Sequence, residues 1–224
     1  MGKILNIETT TTNCSVALGE KGNLVAVKED YSAKYSHAER LHLYIEEILQ
    51  EAGWNLEQLD AIAVSKGPGS YTGLRIGVSA AKGLSFAQGI PLIAVSTLEA
   101  LSRRIRKSDI DYVVPMLDAR RMEVYSAVFT INGQCVSETE AKILDTTSFG
   151  SFLDSGRVAF IGNGVEKFKE VCLHPNAVLF ESTLPSARDM VPLSEGRLNE
   201  GKIEDVAYFE PFYLKDFLVG GKKS

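Results

Sequence analysis

The chain has 224 residues, of which 45% are hydrophobic and 24% are charged, and its formal net charge is −5. This composition is typical of a globular protein with a sizeable core, and the negative charge argues against a module that binds duplex nucleic acid through a basic face. The basic run Arg103-Arg104-Ile105-Arg106-Lys107 is better explained as a solvated helix end than as a nucleic-acid patch.

Cysteine usage and apolar patterning indicate the compartment. Cys14, Cys135 and Cys172 have no CxxC spacing, so we predict neither a zinc site nor a disulfide framework, which fits a reducing cytosol. No apolar stretch is long enough for a membrane helix, and the N-terminus enters a strand pattern without a signal peptide. We therefore expect a cytoplasmic protein with no membrane partner.

The first quarter of the chain is predicted to form a three-stranded meander and a helix. The strands are KILNIE, CSVALGE and NLVAVKED, and a hydroxyl-rich link at residues 9–13 joins the first two. The helix is expected to open at Ser36, which forms a capping box with Glu39, and to end at Gly53. Leu43 falls on its acidic, outward face. The predicted buried face comprises Ala38, Leu41, Ile45, Ile48, Leu49 and Ala52.

Alternating strands and helices follow, and the pattern then repeats. The strand LDAIAVSKG, a helix over 71–88, the strand IPLIAVS and the helix TLEALSRRIRK indicate right-handed βαβ crossovers. A second meander begins at residue 112 and consists of YVVPMLDA, MEVYSAVFTI and QCVSETEAKIL. Two more strands, VAFIG and AVLFE, follow it, together with helices near 147–154, 165–173 and 187–199. We predict an α/β fold of two similar halves, with a soft boundary near 103–111.

Residues 65–84, SKGPGSYTGLRIGVSAAKGL, have the strand, glycine turn and helix of a phosphate site, but their spacing fails two fingerprints. A Walker loop needs Lys-Ser/Thr after its glycines, and no such pair follows here. A dinucleotide fingerprint needs G-x-G-x-x-G, and Gly67, Gly69 and Gly73 miss it by one residue. An anion at this helix start stays physically possible.

The helix in this segment carries a row of small residues at every fourth position, namely Gly69, Gly73, Gly77 and Ala81. Such a row allows another backbone to approach closely, which would offset a cost of about 1 kcal/mol for each glycine inside a helix. Arg75, Ser79 and Lys82 form the one clearly polar stripe, so the helix should be buried on most sides. Spacing alone leaves two interpretations open: a core helix of a monomer, or a helix whose glycine face is covered by a partner.

Five segments together point to a known family: ILNIETTTTNCSVAL, SHAERL, GPGSYTGLRIGVSAAKGLSFAQGIPLIAVSTLEAL, DARRMEVYSAVF and the tail YFEPFYLK. They resemble the bacterial TsaB family, formerly called YeaZ. The resemblance implies the fold of the actin-like ATPase, sugar kinase and hexokinase superfamily, which contains a ribonuclease H-like motif. With the repeat described above, it suggests an N-terminal subdomain at residues 1–105, a C-terminal subdomain at 106–200, and a segment at 201–224 that packs back on the N-terminal subdomain.

The resemblance implies a role as a partner subunit. TsaB proteins support the catalytic subunit TsaD. TsaD moves a threonylcarbamoyl group from an adenylate, which TsaC makes, onto an adenosine next to the anticodon of certain tRNAs. TsaE, a small ATPase, joins TsaB and TsaD. Pairing with TsaD, or self-pairing as a homodimer, uses the two N-terminal helices, here residues 36–52 and 71–88, and tRNA is reached only through the complex. The interface residues that this implies are Leu41, Ile45, Ile48, Gly73, Arg75, Gly77, Ala80 and Ala81.

The chain departs from the catalytic relative TsaD at the metal position. TsaD proteins place two metal-binding histidines, spaced H-x-x-x-H, directly after the strand that resembles IPLIAV, and this chain has Thr97 and Leu101 there. Leu101 and its neighbours offer no ligand that iron or zinc prefers. His37 and His42 lack further ligands and are interpreted as a polar residue at a helix start and a partly buried residue. We expect neither a metal nor another cofactor.

The nucleotide loops also differ from those of ATP-binding relatives. Those relatives have an aspartate at the end of the first strand, where this chain has Glu8, and adjacent glycines in a second loop, where it has DARR at residues 118–121. We therefore expect no productive ATP hydrolysis, and we interpret Asp118 and Arg120 as an ion pair or a partner contact. The residues of this possible degenerate anion or ion-pair site are Glu8, Thr9, Thr10, Asp118 and Arg120.

Two alternative functions remain from the sequence. A free-standing small-molecule kinase of the same fold would need intact phosphate loops and a catalytic acid. A protease-like hydrolase would need an activated nucleophile, for which Ser70 and Cys14 are candidates by residue type only.

Overall fold

The structure is a computed structural model that describes residues 2–31 and 37–215. The first of its two sheets has the strand order β3-β2-β1-β4-β5. The strands are β1 (Lys3–Glu8), β2 (Cys14–Glu20), β3 (Asn23–Asp30), β4 (Ala61–Gly67) and β5 (Leu92–Ser96). The first three form an antiparallel meander, and β4 and β5 continue the sheet in parallel to β1.

The second sheet repeats this arrangement, with the order β10-β9-β6-β7-β8. Its strands are β6 (Tyr112–Asp118), β7 (Glu123–Thr130), β8 (Cys135–Ile143), β9 (Val158–Gly162) and β10 (Ala177–Glu181). Again three strands form an antiparallel meander and two more run parallel to its first strand. The predicted α/β fold of two similar halves is therefore confirmed.

The described residues contain six α-helices, which are α1 (His37–Ala52), α2 (Tyr71–Gln88), α3 (Thr97–Ser102), α4 (Gly150–Ser155), α5 (Val165–Val171) and α6 (Ala187–Asn199). α2 begins where the Ser70 side chain accepts a hydrogen bond from the Gly73 amide and ends at Gly89, which has a φ of 64°. The predicted capping residue of α1, Ser36, lies outside the described residues. Ala38 and His42 of α1 are exposed, so their predicted burial is wrong. No helix in the described ranges is long and apolar enough to cross a membrane.

Helices cover both faces of the first sheet. On one face α1 and α2 close a core that includes Leu41, Ile48 and Val78. On the other face Met190 and Val191 of α6 pack against β1, β2 and β4. The predicted subdomain boundary had placed residues 187–199 in the C-terminal half, whereas α6 packs on the N-terminal sheet.

The short helix α3 lies between the two sheets. Leu98 and Leu101 pack in a cluster with Val113 and Ile161 of the second sheet, while Ala100 belongs to the cluster under α6. The two halves are thus joined through a shared apolar layer, which resists their separation because that layer would become solvated.

The described part of the C-terminal segment, residues 201–215, runs along α2. The amide of Glu204 donates to the Leu92 carbonyl at 2.8 Å, and the Lys82 ammonium donates to the Phe209 carbonyl at 2.9 Å. The amide of Phe212 donates to the Lys66 carbonyl at 2.7 Å. An ion pair between Lys215 and Glu123 then reaches the second sheet. Two residues of the predicted polar stripe of α2 thus hold this segment. Arg75 donates to the Tyr213 hydroxyl, and Lys82 donates to the carbonyls of Ala207 and Phe209.

Candidate functional site

The loop between β1 and β2, residues 9–13, is buried against the N-terminal half of α2. The Thr9 hydroxyl donates to the Gly73 carbonyl at 2.7 Å, and the Ser70 amide donates to the Thr10 carbonyl at 2.7 Å. A Cβ added at Gly69 would lie 2.5 Å from the Thr10 Cβ. One added at Gly73 would overlap the Thr9 carbonyl oxygen. The loop and the helix can approach this closely only because these α2 positions lack side chains.

The row of small residues on α2 is therefore covered by the chain's own loop. Gly77 faces the Thr9 hydroxyl, just as Gly73 faces the Thr9 carbonyl. Of the interface residues implied by the resemblance, six are buried inside this chain: Leu41, Ile45, Ile48, Gly73, Gly77 and Ala81. Ala80 is half-buried and Arg75 is exposed. That α1 and α2 bind a partner stays a prediction, and the six buried residues belong to the chain's own packing.

A second row of small residues on α2 faces outward. Its small residues are Thr72, Ala80, Gly83 and Ala87; Ala80 and the larger Ile76 beside it are half-buried against the core, and the other three are exposed. Outside the neighbouring backbone of its own helix, no atom of the described residues lies within 4 Å of the position that a Cβ on Gly83 would take. Phe86, beside this row, is 83% exposed, and Leu43 of α1 is 54% exposed, as its outward position in the sequence indicated. This row was not predicted from the sequence, because Gly83 does not belong to the four-residue repeat of Gly69, Gly73, Gly77 and Ala81. The spacing 76, 80, 83 and 87 does follow one helix face.

Glu8 ends β1 with its carboxyl group fully buried beneath α6. Its Oε1 accepts hydrogen bonds from the Thr10 amide at 2.6 Å and the Thr10 hydroxyl at 2.5 Å. Its Oε2 is bonded to the Ser65 hydroxyl, which also lies 3.4 Å from the Met190 sulfur. Burial raises the pKa of the Glu8 carboxyl, and the bonds from Ser65 and Thr10 oppose that rise only in part.

This raised pKa has a measurable consequence for stability. The folded state favours the protonated form of Glu8, because the pKa of this carboxyl is higher in the folded than in the unfolded chain. Its contribution to the free energy of unfolding is therefore complete below the unfolded-state pKa and is lost as pH rises through the folded-state pKa. Relative to Glu8→Gln, the wild type should lose up to about 1.4 kcal/mol of unfolding free energy per pH unit in that window. Urea titrations of both proteins from pH 4 upward test this. Parallel stability curves for the two proteins would contradict it.

The second half of the predicted ion site is not joined to the first. Asp118 forms an ion pair with Lys167, and it accepts a bond from the Arg120 backbone amide at 2.6 Å. The ion-pair partner of Asp118 in the structure is therefore Lys167 of α5 rather than the Arg120 side chain, and a contact of Asp118 and Arg120 with a partner protein stays a prediction. Among the hydrogen bonds and ion pairs of the described residues, none connects Asp118 or Arg120 with Glu8, Thr9 or Thr10.

The two positions that the resemblance compares with metal-binding histidines offer no metal ligand in this fold. Thr97 and Leu101 are completely buried in α3. Within residues 2–31 and 37–215, no group of three His, Cys, Asp or Glu side chains could hold a metal ion. His37 is buried and its Nε2 lies 2.7 Å from the Thr11 carbonyl, so it helps hold the loop; burial lowers its pKa.

The two candidate nucleophiles are also occupied or shielded. Ser70 Oγ accepts the Gly73 amide bond that caps α2. Cys14 is buried, and burial raises the pKa of its thiol to about 12, so the thiolate is scarce at neutral pH. Neither environment activates a nucleophile.

The two sheets have the same strand topology. This repeated α/β arrangement is the fold of the actin-like ATPase, sugar kinase and hexokinase superfamily. A family model described as TsaD, tRNA N6-adenosine threonylcarbamoyltransferase, matches residues 31–218. The tRNA threonylcarbamoyladenosine biosynthesis protein TsaB of Escherichia coli is 34% identical over 221 residues, covering 96% of this chain and 95% of that protein. The chain belongs to the TsaB family.

Solved structures agree with this assignment. YeaZ from Pseudomonas aeruginosa superposes with a TM-score of 0.84 at 30% identity, covering 96% of this chain and 100% of that one. An activator of 2-hydroxyisocaproyl-CoA dehydratase from Clostridium difficile, solved with bound ADPNP, has a TM-score of 0.51 at 9% identity over 89% of this chain and 96% of that one. The second likeness shows the fold alone.

Proposed function

We propose that this chain is a non-catalytic partner subunit that a TsaD-type transferase needs in order to place a threonylcarbamoyl group on adenosine of tRNA. One observation carries the proposal. The loop where a nucleotide-binding protein of this fold would hold phosphate is closed by the chain itself, while one face of α2 is left open.

The closed loop argues against catalysis by this chain. A phosphate needs free amide donors and space around them. Here the Thr10 amide is bonded to Glu8, and the residues that could have provided space, Gly69 and Gly73, are in contact with Thr9 and Thr10. A kinase reaction also needs groups that position phosphates and stabilise their charge, and the described loop offers no such arrangement.

The open face of α2 is suited to pairing with another helix. Thr72, Ala80, Gly83 and Ala87 let a second backbone approach, and Phe86 is the type of large exposed side chain that anchors interfaces. A glycine at position 83 costs about 1 kcal/mol in a helix, and no contact within the described chain offsets that cost. Contact with a partner would offset it.

The neighbouring helix α1 exposes the acidic residues Glu39 and Glu46 beside this face. We propose TsaD as the principal occupant of the face. A second copy of the chain can use the same face in its absence, because a row of small residues can pack against its own copy about a two-fold axis.

The remaining parts of the proposal concern the complex. TsaE would join the pair, tRNA would be contacted through the complex rather than by this chain alone, and the complex would act in the cytoplasm. The net charge of −5 is in keeping with an indirect role toward tRNA.

Reconstitution tests the proposed function. TsaC, TsaD and TsaE are incubated with tRNA, threonine, bicarbonate and ATP, with and without this chain, and threonylcarbamoyladenosine is measured by mass spectrometry. We expect modification only when the chain is present, and no modification or ATP turnover by the chain alone. Equal modification without the chain, or robust turnover by the isolated chain, would overturn the proposal.

A further inference from the structure

The pocket under the β1–β2 loop has the donors of an anion site but contains part of the chain. Three donors converge on one carboxyl group: the Thr10 amide, the Thr10 hydroxyl and the Ser65 hydroxyl. Backbone amides and hydroxyls in this arrangement are the groups with which proteins hold carboxylates and phosphates. In this structure the acceptor is the chain's own Glu8.

The Glu8 carboxyl is shut off from solvent, and none of the groups hydrogen-bonded to it in the described residues is a cation. Glu8, Thr10 and Ser65 are each at most 2% exposed, and Met190 of α6 covers Ser65. The charged side chain that acts on Glu8 is Asp189, whose own carboxylate is held by Arg104 at 2.7 and 2.9 Å. Glu29 and Arg188 lie beyond, around Asp189.

We propose that the Glu8 side chain is a built-in ligand that fills a carboxyl-binding pocket of the β1–β2 loop and thereby closes this loop to external anions. The inference concerns the chain's own residues and does not depend on its partner role. It explains why Thr10 of the loop and Ser65 of β4 keep buried hydrogen-bonding groups at a place that has no room for a phosphate.

The size of the removed group determines the probe. Replacing Glu8 with alanine removes Cγ, Cδ and both carboxyl oxygens, and these are the same heavy atoms as those of acetate. A Glu8→Ala protein therefore keeps the three donors around a cavity that acetate can fill. Since the carboxyl of Glu8 has a raised pKa and faces Asp189, binding should strengthen as pH falls toward the titration range of acetate.

The experiment is a thermal unfolding series in sodium acetate, with sodium chloride at the same ionic strength as the reference. Glu8→Ala should gain about 2–4 °C in Tm at high acetate, with a larger gain at pH 5.5 than at pH 7.5. The wild type and Glu8→Gln should gain nothing, because their pockets are filled. Adding Ser65→Ala to Glu8→Ala should reduce the gain, because one donor is lost.

A direct measurement separates binding from general effects of acetate. Labelled acetate should show saturable line broadening in carbon NMR with Glu8→Ala and none with the wild type. Should Glu8→Ala fail to fold in chloride, acetate must restore its refolding yield, and failure to restore it overturns the proposal. An equal response of the wild type and Glu8→Ala, or a response that Ser65→Ala leaves unchanged, also overturns it.

Discussion

Replacing Gly73 with alanine is expected to lower the free energy of unfolding by about 2 kcal/mol. The added Cβ would overlap the backbone carbonyl oxygen of Thr9, which cannot rotate away as a side chain can. Overpacking a tight contact typically costs 1–3 kcal/mol, and here the better helix propensity of alanine offsets only about 1 kcal/mol. Urea denaturation with linear extrapolation measures the difference.

Gly83→Ala is the matched control, because it makes the same chemical change on the same helix. Its Cβ would meet no atom within 4 Å, so we expect a gain of about 0.4–1 kcal/mol. The contrast in sign between the two variants isolates the contact with Thr9 from helix propensity. If Gly73→Ala were as stable as Gly83→Ala, the close packing of α2 on the β1–β2 loop would be wrong.

The second large effect is expected at the outward face of α2. Gly83→Leu should weaken pairing with TsaD about 100-fold, which corresponds to about 2.7 kcal/mol, because a branched side chain keeps a partner backbone at a distance. The fold should be retained, since the position is open within this chain. Isothermal titration calorimetry with purified TsaD measures the affinity, and circular dichroism checks the fold.

Two further variants make the interface test specific. Gly83→Ala should keep most of the affinity, and Phe86→Ala should lose part of it if the exposed ring is an anchor. Gly77 is unsuitable for this purpose, because a side chain there would meet the Thr9 hydroxyl inside the chain and would disturb the fold as well as the interface. A folded Gly83→Leu protein that binds TsaD as tightly as the wild type would place the interface elsewhere.

Local patterns were sufficient to predict most elements of the fold. The helix predicted over 71–88 has the same bounds in the structure. The repeated meander was read from alternation and turn residues, which depend on neighbouring residues. Burial of Ala38 was predicted wrongly, because the first turn of α1 buries His37 against the β1–β2 loop and leaves Ala38 exposed.

Errors at the candidate site have one common origin, which is contact between distant parts of the chain. Asp118 pairs with Lys167, 49 residues away, rather than with Arg120. α6 lies on the first sheet although its sequence follows the second. Periodicity shows that a helix has an apolar or small-residue face, and it carries no information about which segment covers that face.

The sequence by itself determined the secondary structure, the two similar halves and the family, because these depend on short-range patterns and on long motifs. Tertiary structure alone decided the role of each helix face. The glycine row at 69, 73 and 77 is covered by Thr9 and Thr10 of the same chain, and the row that contains Gly83 is the one left open. The physical reason is that Thr9 and Thr10 of the loop occupy the space above those glycines, and a space already filled can bind neither phosphate nor a partner helix.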